Sequence, residues 1–291
     1  VRIINIIKRL IKDNITVKSG IWYIITDFML KGMAFITLPI FTRLLSVKEY
    51  GLVSIYMVLV GIFAIITGLD LNSSIGTGLY DFKHTKDEFL SSILFLSLIN
   101  FLFIASGIIF FKKYLSIKLK ITEDIIIFSL LSGYFSFIIN FFITKLVFEK
   151  NYKKKTLLSL LSSLLNIGMS IYILLIIKSY KGKIYGDIFS KFIISSILFL
   201  VVLLKGKKIL FKKAWKYSML ISVPLIPHHL SGLILSQFDR LAIQKIMGSG
   251  KVGLYSYAYT LGMIPLIILG ATNLAWFHGF MIKCMKIKEE K

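Results

Sequence analysis

Asp27 and Lys31 lie four residues apart inside the apolar stretch "WYIITDFMLKGMAFITLPIFTR". A lysine at the centre of a bilayer costs about 2.5–3.5 kcal/mol, so Lys31 must face protein or water rather than lipid. One helical turn separates the two in the acid-to-base order that favours a pair on one face. Two readings follow: an inert Asp27–Lys31 pair that aids packing, or an ammonium lining a cavity that attracts anions. Lys145 and Lys191 sit within later apolar stretches and invite the same reading, with snorkelling as the alternative because both lie near the ends of their stretches. Asn140 and Asn166 carry amides able to hydrogen-bond sugar hydroxyls, or equally to join neighbouring helices. Asp70, near the end of another run, is a candidate for ion coupling, with helix capping as the competing role. These groups recognise rather than react. Lysine meets phosphate as a point charge, which suits a ligand that must be released.

Reactive constellations are not evident. No HExxH, GxSxG or paired catalytic carboxylates occur in a loop, so no enzyme and no cofactor are expected. "MGSGKVG" from Met247 lacks the glycine and the Ser/Thr that a phosphate loop requires. His228 and His229 are adjacent in sequence and point to different helical faces, and no third ligand accompanies them. A metal site is not expected. The single cysteine, Cys284, permits no internal disulfide.

The elements that must position these residues follow from composition. Apolar residues make up 56% of the 291-residue chain, only 17% are charged, and the mean hydropathy is +0.81. Soluble domains carry about a quarter charged residues. The apolar residues gather in blocks that match a ~30 Å hydrocarbon core at ~1.5 Å per residue. The expected fold is therefore an all-α integral membrane protein. Eight spans are predicted, at 20–43, 51–69, 89–111, 125–147, 157–177, 188–204, 218–236 and 253–275, with the second continuing as helix past Asp70 toward Tyr80. Lys31 falls at mid-depth of the first. Pro39 should bend that span, and Arg43 should anchor it at the interface.

The formal charge of +22 reflects lysines in short loops rather than nucleic-acid binding. Most of them fall in the N-terminal segment and the loops after even-numbered spans, which predicts a cytoplasmic N-terminus. Residues 1–18 read as a basic amphipathic helix on an anionic lipid surface, and 205–217 as a basic cytoplasmic linker.

An internal repeat is also visible. "EYGLVSIYMVLVG" from Glu49 overlays "KVGLYSYAYTLGM" from Lys251, pairing Gly51 with Gly253, and an arginine (Arg43, Arg240) ends the preceding span in both copies. Six spans then form one lobe (19–204), and 218–291 opens a second, parallel copy, as in two-lobed transporters.

"LPIFTRLLSVKEYGLVSIY" and "QFDRLAIQKIMGSGKVGLYSYAY" resemble the first hairpins of the two lobes in polysaccharide-type flippases. These belong to the superfamily that also holds multidrug and toxin extruders. Pro39, Thr42, Arg43, Tyr50 and Gly51 carry the first likeness; Asp239, Arg240, Gly253 and Tyr255 carry the second. "NLAWFHGF" from Asn273 is similar to the family's stretch closing span eight.

The resemblance implies a bacterial cytoplasmic-membrane protein of twelve or more helices, of which this chain holds eight. It also implies a lipid-linked oligosaccharide moved across a central cationic cavity, for capsule, exopolysaccharide or O-antigen synthesis. A proton or sodium ion as coupling partner, and contact with glycan-polymerase machinery, are further implications. A drug/cation antiporter would need an acidic cavity, and a glycan polymerase a large outer loop.

Overall fold

In a computed structural model, residues 15–263 and residue 265 are described, and among them the chain is helical without strands. The basic segment expected at 1–18 lies almost wholly outside these residues, as do most of span eight, Asn273 and Cys284. Among the described residues nine α-helices follow one another: α1 (Ile15–Leu44), α2 (Val47–Thr67), α3 (Ile75–Asp81), α4 (Lys86–Leu119), α5 (Glu123–Phe148), α6 (Tyr152–Ile177), α7 (Tyr180–Gly206), α8 (Lys212–Met247) and α9 (Ser249–Gly262). Seven of them, all except α3 and α9, contain segments long and apolar enough to cross a membrane. The protein is a multi-pass membrane protein.

The start of α2 is fixed by Ser46, whose hydroxyl accepts from the Glu49 amide while the Glu49 carboxylate accepts from the Ser46 amide. This reciprocal capping satisfies two donors that the first helical turn leaves open. The other Glu49 oxygen accepts from the Tyr180 amide at 3.1 Å, tying the α1–α2 turn to the start of α7. The second span does not run unbroken to Tyr80 as expected. Leu69 and Asp70 both adopt left-handed backbone (φ 49°), and a 3₁₀ turn, Leu71–Ser74, intervenes before α3. The Asn100 amide of α4 donates to the carbonyls of Ile66 and Thr67, at 2.9 Å each, where the α2 ladder ends. The amide supplements the Leu69 N–H that reaches the Ile66 carbonyl and gives the Thr67 carbonyl, at the open end of the helix, a donor.

Two large apolar clusters hold the helices. One joins α3, α4, α5, α7 and the start of α8 around Phe89, Ile93, Phe137, Phe141 and Leu198. The other joins α2, α5 and α9 around Ile55, Tyr56, Ile125, Leu130 and Val252. Helix α8 runs alongside α4 in the same direction. Its Trp215 indole donates to the Ser92 carbonyl near the start of α4, and its Gln244 amide donates to the Lys120 carbonyl just past the end. The α7–α8 connection is confined to 207–211, shorter than the 205–217 linker read from charge, because Ala214 and Trp215 are already helical and packed on the apolar core.

Candidate functional site

Helix α7 carries Lys183, Asp187 and Lys191 at intervals of four, so the three lie along one face. What sets that face is the pair Gly182 and Gly186, which presses α7 against the backbone of α6: a Cβ at Gly186 would collide with the backbone of Ser170. Small residues four apart allow such close approach in membranes.

Asp187 is 1% exposed and fully bonded. Its Oδ2 accepts from the Tyr56 hydroxyl (2.7 Å), the Ser132 hydroxyl (2.7 Å) and the Lys191 ammonium (2.8 Å), and its Oδ1 accepts from the Asn166 amide (2.7 Å). One carboxylate thus joins α2, α5, α6 and α7. Lys183, 7% exposed, has a different environment: its ammonium donates to the Ser170 hydroxyl at 3.0 Å and lies 4.4 Å from the centre of the Phe41 ring.

The charged face of α7 touches two cavities. The first, about 320 Å³, lies where α1, α2 and α7 meet α8 and α9, and Lys183, Tyr50, Ser54, Gln237 and Arg240 line it. The Arg240 guanidinium donates to the Ser256 hydroxyl at 3.2 Å and lies over the Tyr259 ring. Neither Lys183 nor Arg240 has a carboxylate within ion-pair distance among the described residues. Two cations around one space without a matching anion make it electropositive. The second cavity, about 280 Å³, lies between α5, α6 and α7, and Asn140, Asn166, Asp187 and Lys191 line it.

The residues singled out in sequence divide between these places. Asn140, Asn166 and Lys191 come together at the second cavity, and Tyr50 and Arg240 at the first. Asp27 does not pair with Lys31. Its carboxylate lies 3.4 Å from the ammonium of Lys155, because α6 runs beside α1 and brings a second lysine to it. Lys31 is exposed on α1 and lines neither cavity. Lys145 is buried against Glu149 at 3.8 Å and over the Phe142 ring, away from both spaces.

Pro39 stays within α1, Thr42 bonds back to the Leu38 carbonyl, and Arg43 is exposed. Asp239 accepts from the Tyr255 hydroxyl at 2.7 Å. Asp70 accepts from Ser73 and meets Nδ1 of His229 at 2.8 Å, so one of the two adjacent histidines reaches across from α8. Lys183 and Asp187 were missed because the sixth span was started at 188; α7 begins at Tyr180. The spacing Lys-x₃-Asp-x₃-Lys was the available signal.

A family model described as "Polysaccharide biosynthesis protein" matches residues 16–277. The chain belongs to this family. No curated protein sequence matches the chain. Among solved structures, the polysaccharide biosynthesis fold seen here is similar to one titled "Crystal structure of MATE in complex with MaD3S", with a TM-score of 0.61 at 19% identity. The match covers 87% of this chain and 62% of that one, so the chain spans under two thirds of its neighbour's length. The family assigns the chain to polysaccharide biosynthesis, and the neighbour shares its helical fold.

Proposed function

We propose that the protein carries an undecaprenyl-diphosphate-linked oligosaccharide from the inner to the outer leaflet of a bacterial cytoplasmic membrane, with its N-terminus on the cytoplasmic side. The observation that supports this most is the inter-lobe cavity, where Lys183 and Arg240 converge without a carboxylate partner. A diphosphate cannot cross hydrocarbon unaided, and the buried Lys183 ammonium, whose neighbour Asp187 is already ion-paired with Lys191, gains from an arriving anion. A ligand bearing that anion satisfies both requirements, while its polyprenyl tail stays in lipid. Lys31, exposed on α1 without an ion partner among the described residues, serves in this reading as a mid-depth contact along the path. The remaining helices of a second lobe would close the cavity on its open side, and alternating exposure of the cavity would move the head group.

The test is titration of inorganic pyrophosphate into the purified chain, followed by calorimetry. Each charged contact is worth about 1.5–3 kcal/mol, so Lys183→Met and Arg240→Leu should each weaken binding at least roughly tenfold. Unchanged affinity in both variants would count decisively against the reading. In cells that depend on the gene, the same variants should reach the membrane but leave little glycan at the surface. Ethidium resistance conferred by the native chain would instead favour a cation antiporter.

A further inference from the structure

Resting on the reading of the chain as a carrier of a glycan head group, we propose that the cavity inside the first lobe is a binding subsite for an uncharged pyranose ring. The cavity is separate from the cationic space between the lobes and differs from it in chemistry. Its charges cancel locally: the Lys191 ammonium lies 2.8 Å from Asp187 Oδ2. An anion would meet no unpaired cation there. A metal ion would have to displace donors, since the Asp187 oxygens already accept from Tyr56, Ser132, Asn166 and Lys191.

What is left open is a ring of neutral polar atoms. The Ser162 hydroxyl is buried and has no hydrogen-bond partner. Asn140 is exposed into the same space with both halves of its amide uncommitted, and Ser136 and Ser163 add two further hydroxyls. The Asn166 NH₂ group is engaged by Asp187 and Ser190, which leaves its carbonyl oxygen as an acceptor.

Hydroxyls and amides that both donate and accept, placed around one volume, match a ligand whose every hydroxyl does the same. Ile139 and Ile194 supply an apolar wall for the C–H face of such a ring. Leaving a buried hydroxyl unsatisfied costs about 1–3 kcal/mol, and a sugar hydroxyl removes that cost. Lys183 lines the first cavity and Asp187 the second, one turn apart on α7, so the two sites are neighbours on one helix.

Saturation-transfer NMR tests this, with methyl β-glucopyranoside and N-acetylglucosamine as probes and the chain held in a zwitterionic, sugar-free detergent. Transfer to the ring protons is expected for the native chain. Asn140→Leu should abolish it, and Ser162→Ala, which changes little volume, should weaken binding about tenfold. Lys183→Met should leave it intact while removing pyrophosphate binding. Absence of transfer in the native chain, or equal transfer in both cavity variants, overturns the proposal. Displacement of the pyranoside by inorganic phosphate also overturns it. A native chain that binds the pyranoside but no pyrophosphate removes the inter-lobe reading and leaves the subsite standing.

Discussion

Gly51 of α2 and Gly253 of α9 pack against each other's helices at equivalent positions. A Cβ on Gly51 would strike the Ser249 carbonyl, and a Cβ on Gly253 would strike the Val47 carbonyl. Residues 47 and 51 correspond to 249 and 253 in the repeat, so a local two-fold axis passes between the two glycines. The two helices touch there backbone to backbone.

Gly51→Ala and Gly253→Ala should therefore each push α2 and α9 apart. Overpacking of this kind costs about 1–3 kcal/mol and should lower the thermal unfolding midpoint. Gly107→Ala in α4 is the control: nothing stands within 4 Å of its Cβ position, and the substitution should be neutral or slightly stabilising. Equal midpoints for all three variants would refute the crossing.

Asp187→Leu should destabilise the first lobe by roughly 3–5 kcal/mol, because it leaves Lys191 buried without its counter-charge. The double variant Asp187→Leu/Lys191→Leu should recover part of that loss, since an apolar pair of similar size carries no stranded charge. Denaturation of the detergent-solubilised protein reads both effects. A double variant no more stable than the single one would show that the loss comes from the bonds to Tyr56, Ser132 and Asn166, which both variants lack, rather than from a stranded ammonium.

The contact between Asp70 and His229 joins the break after α2 to α8 and can be measured as a coupling. Asp70→Asn and His229→Ala, alone and together, should show a non-additive term of about 0.5–3 kcal/mol in unfolding free energy. His228→Ala is the control, because the adjacent histidine makes no hydrogen bond to the Asp70 carboxylate.

Much of the architecture was legible in the chain because a bilayer imposes length and hydropathy on each span. The repeat was legible too, through glycines whose close contact tolerates no side chain. The ion pairs were not. An Asp27–Lys31 pair on one helix was one of two readings, whereas the partner of Asp27, Lys155, lies 128 residues away and reaches it only because α1 and α6 run side by side. Helix neighbours in a bundle are set by packing, which local periodicity does not encode. Lys183 and Asp187 were hidden for a related reason. Four charged residues between 181 and 191 interrupt the apolar pattern, yet the fold buries Lys183 and Asp187 and leaves Lys191 half-buried against Ser132. Asn140 and Asn166 were visible as polar residues in apolar runs, but that they share one space depends on the angle at which α5, α6 and α7 meet.

The interruption between Thr67 and Ile75 has a mechanical consequence. Above it, α2 is fastened to α9 through the glycine crossing; below it, α3 is fastened to α4 and α5, where Gly78 abuts Phe89 and Gly76 abuts Phe148. Backbone bonds change register across the gap, with Asp70 N–H donating to the Ile65 carbonyl and Leu69 N–H to the Ile66 carbonyl, and Asn100 adds its amide there. The two segments are thus pinned to different neighbours, so a side chain forced in at Gly51 loads the contact with α9, whereas one forced in at Gly76 or Gly78 loads α5 or α4.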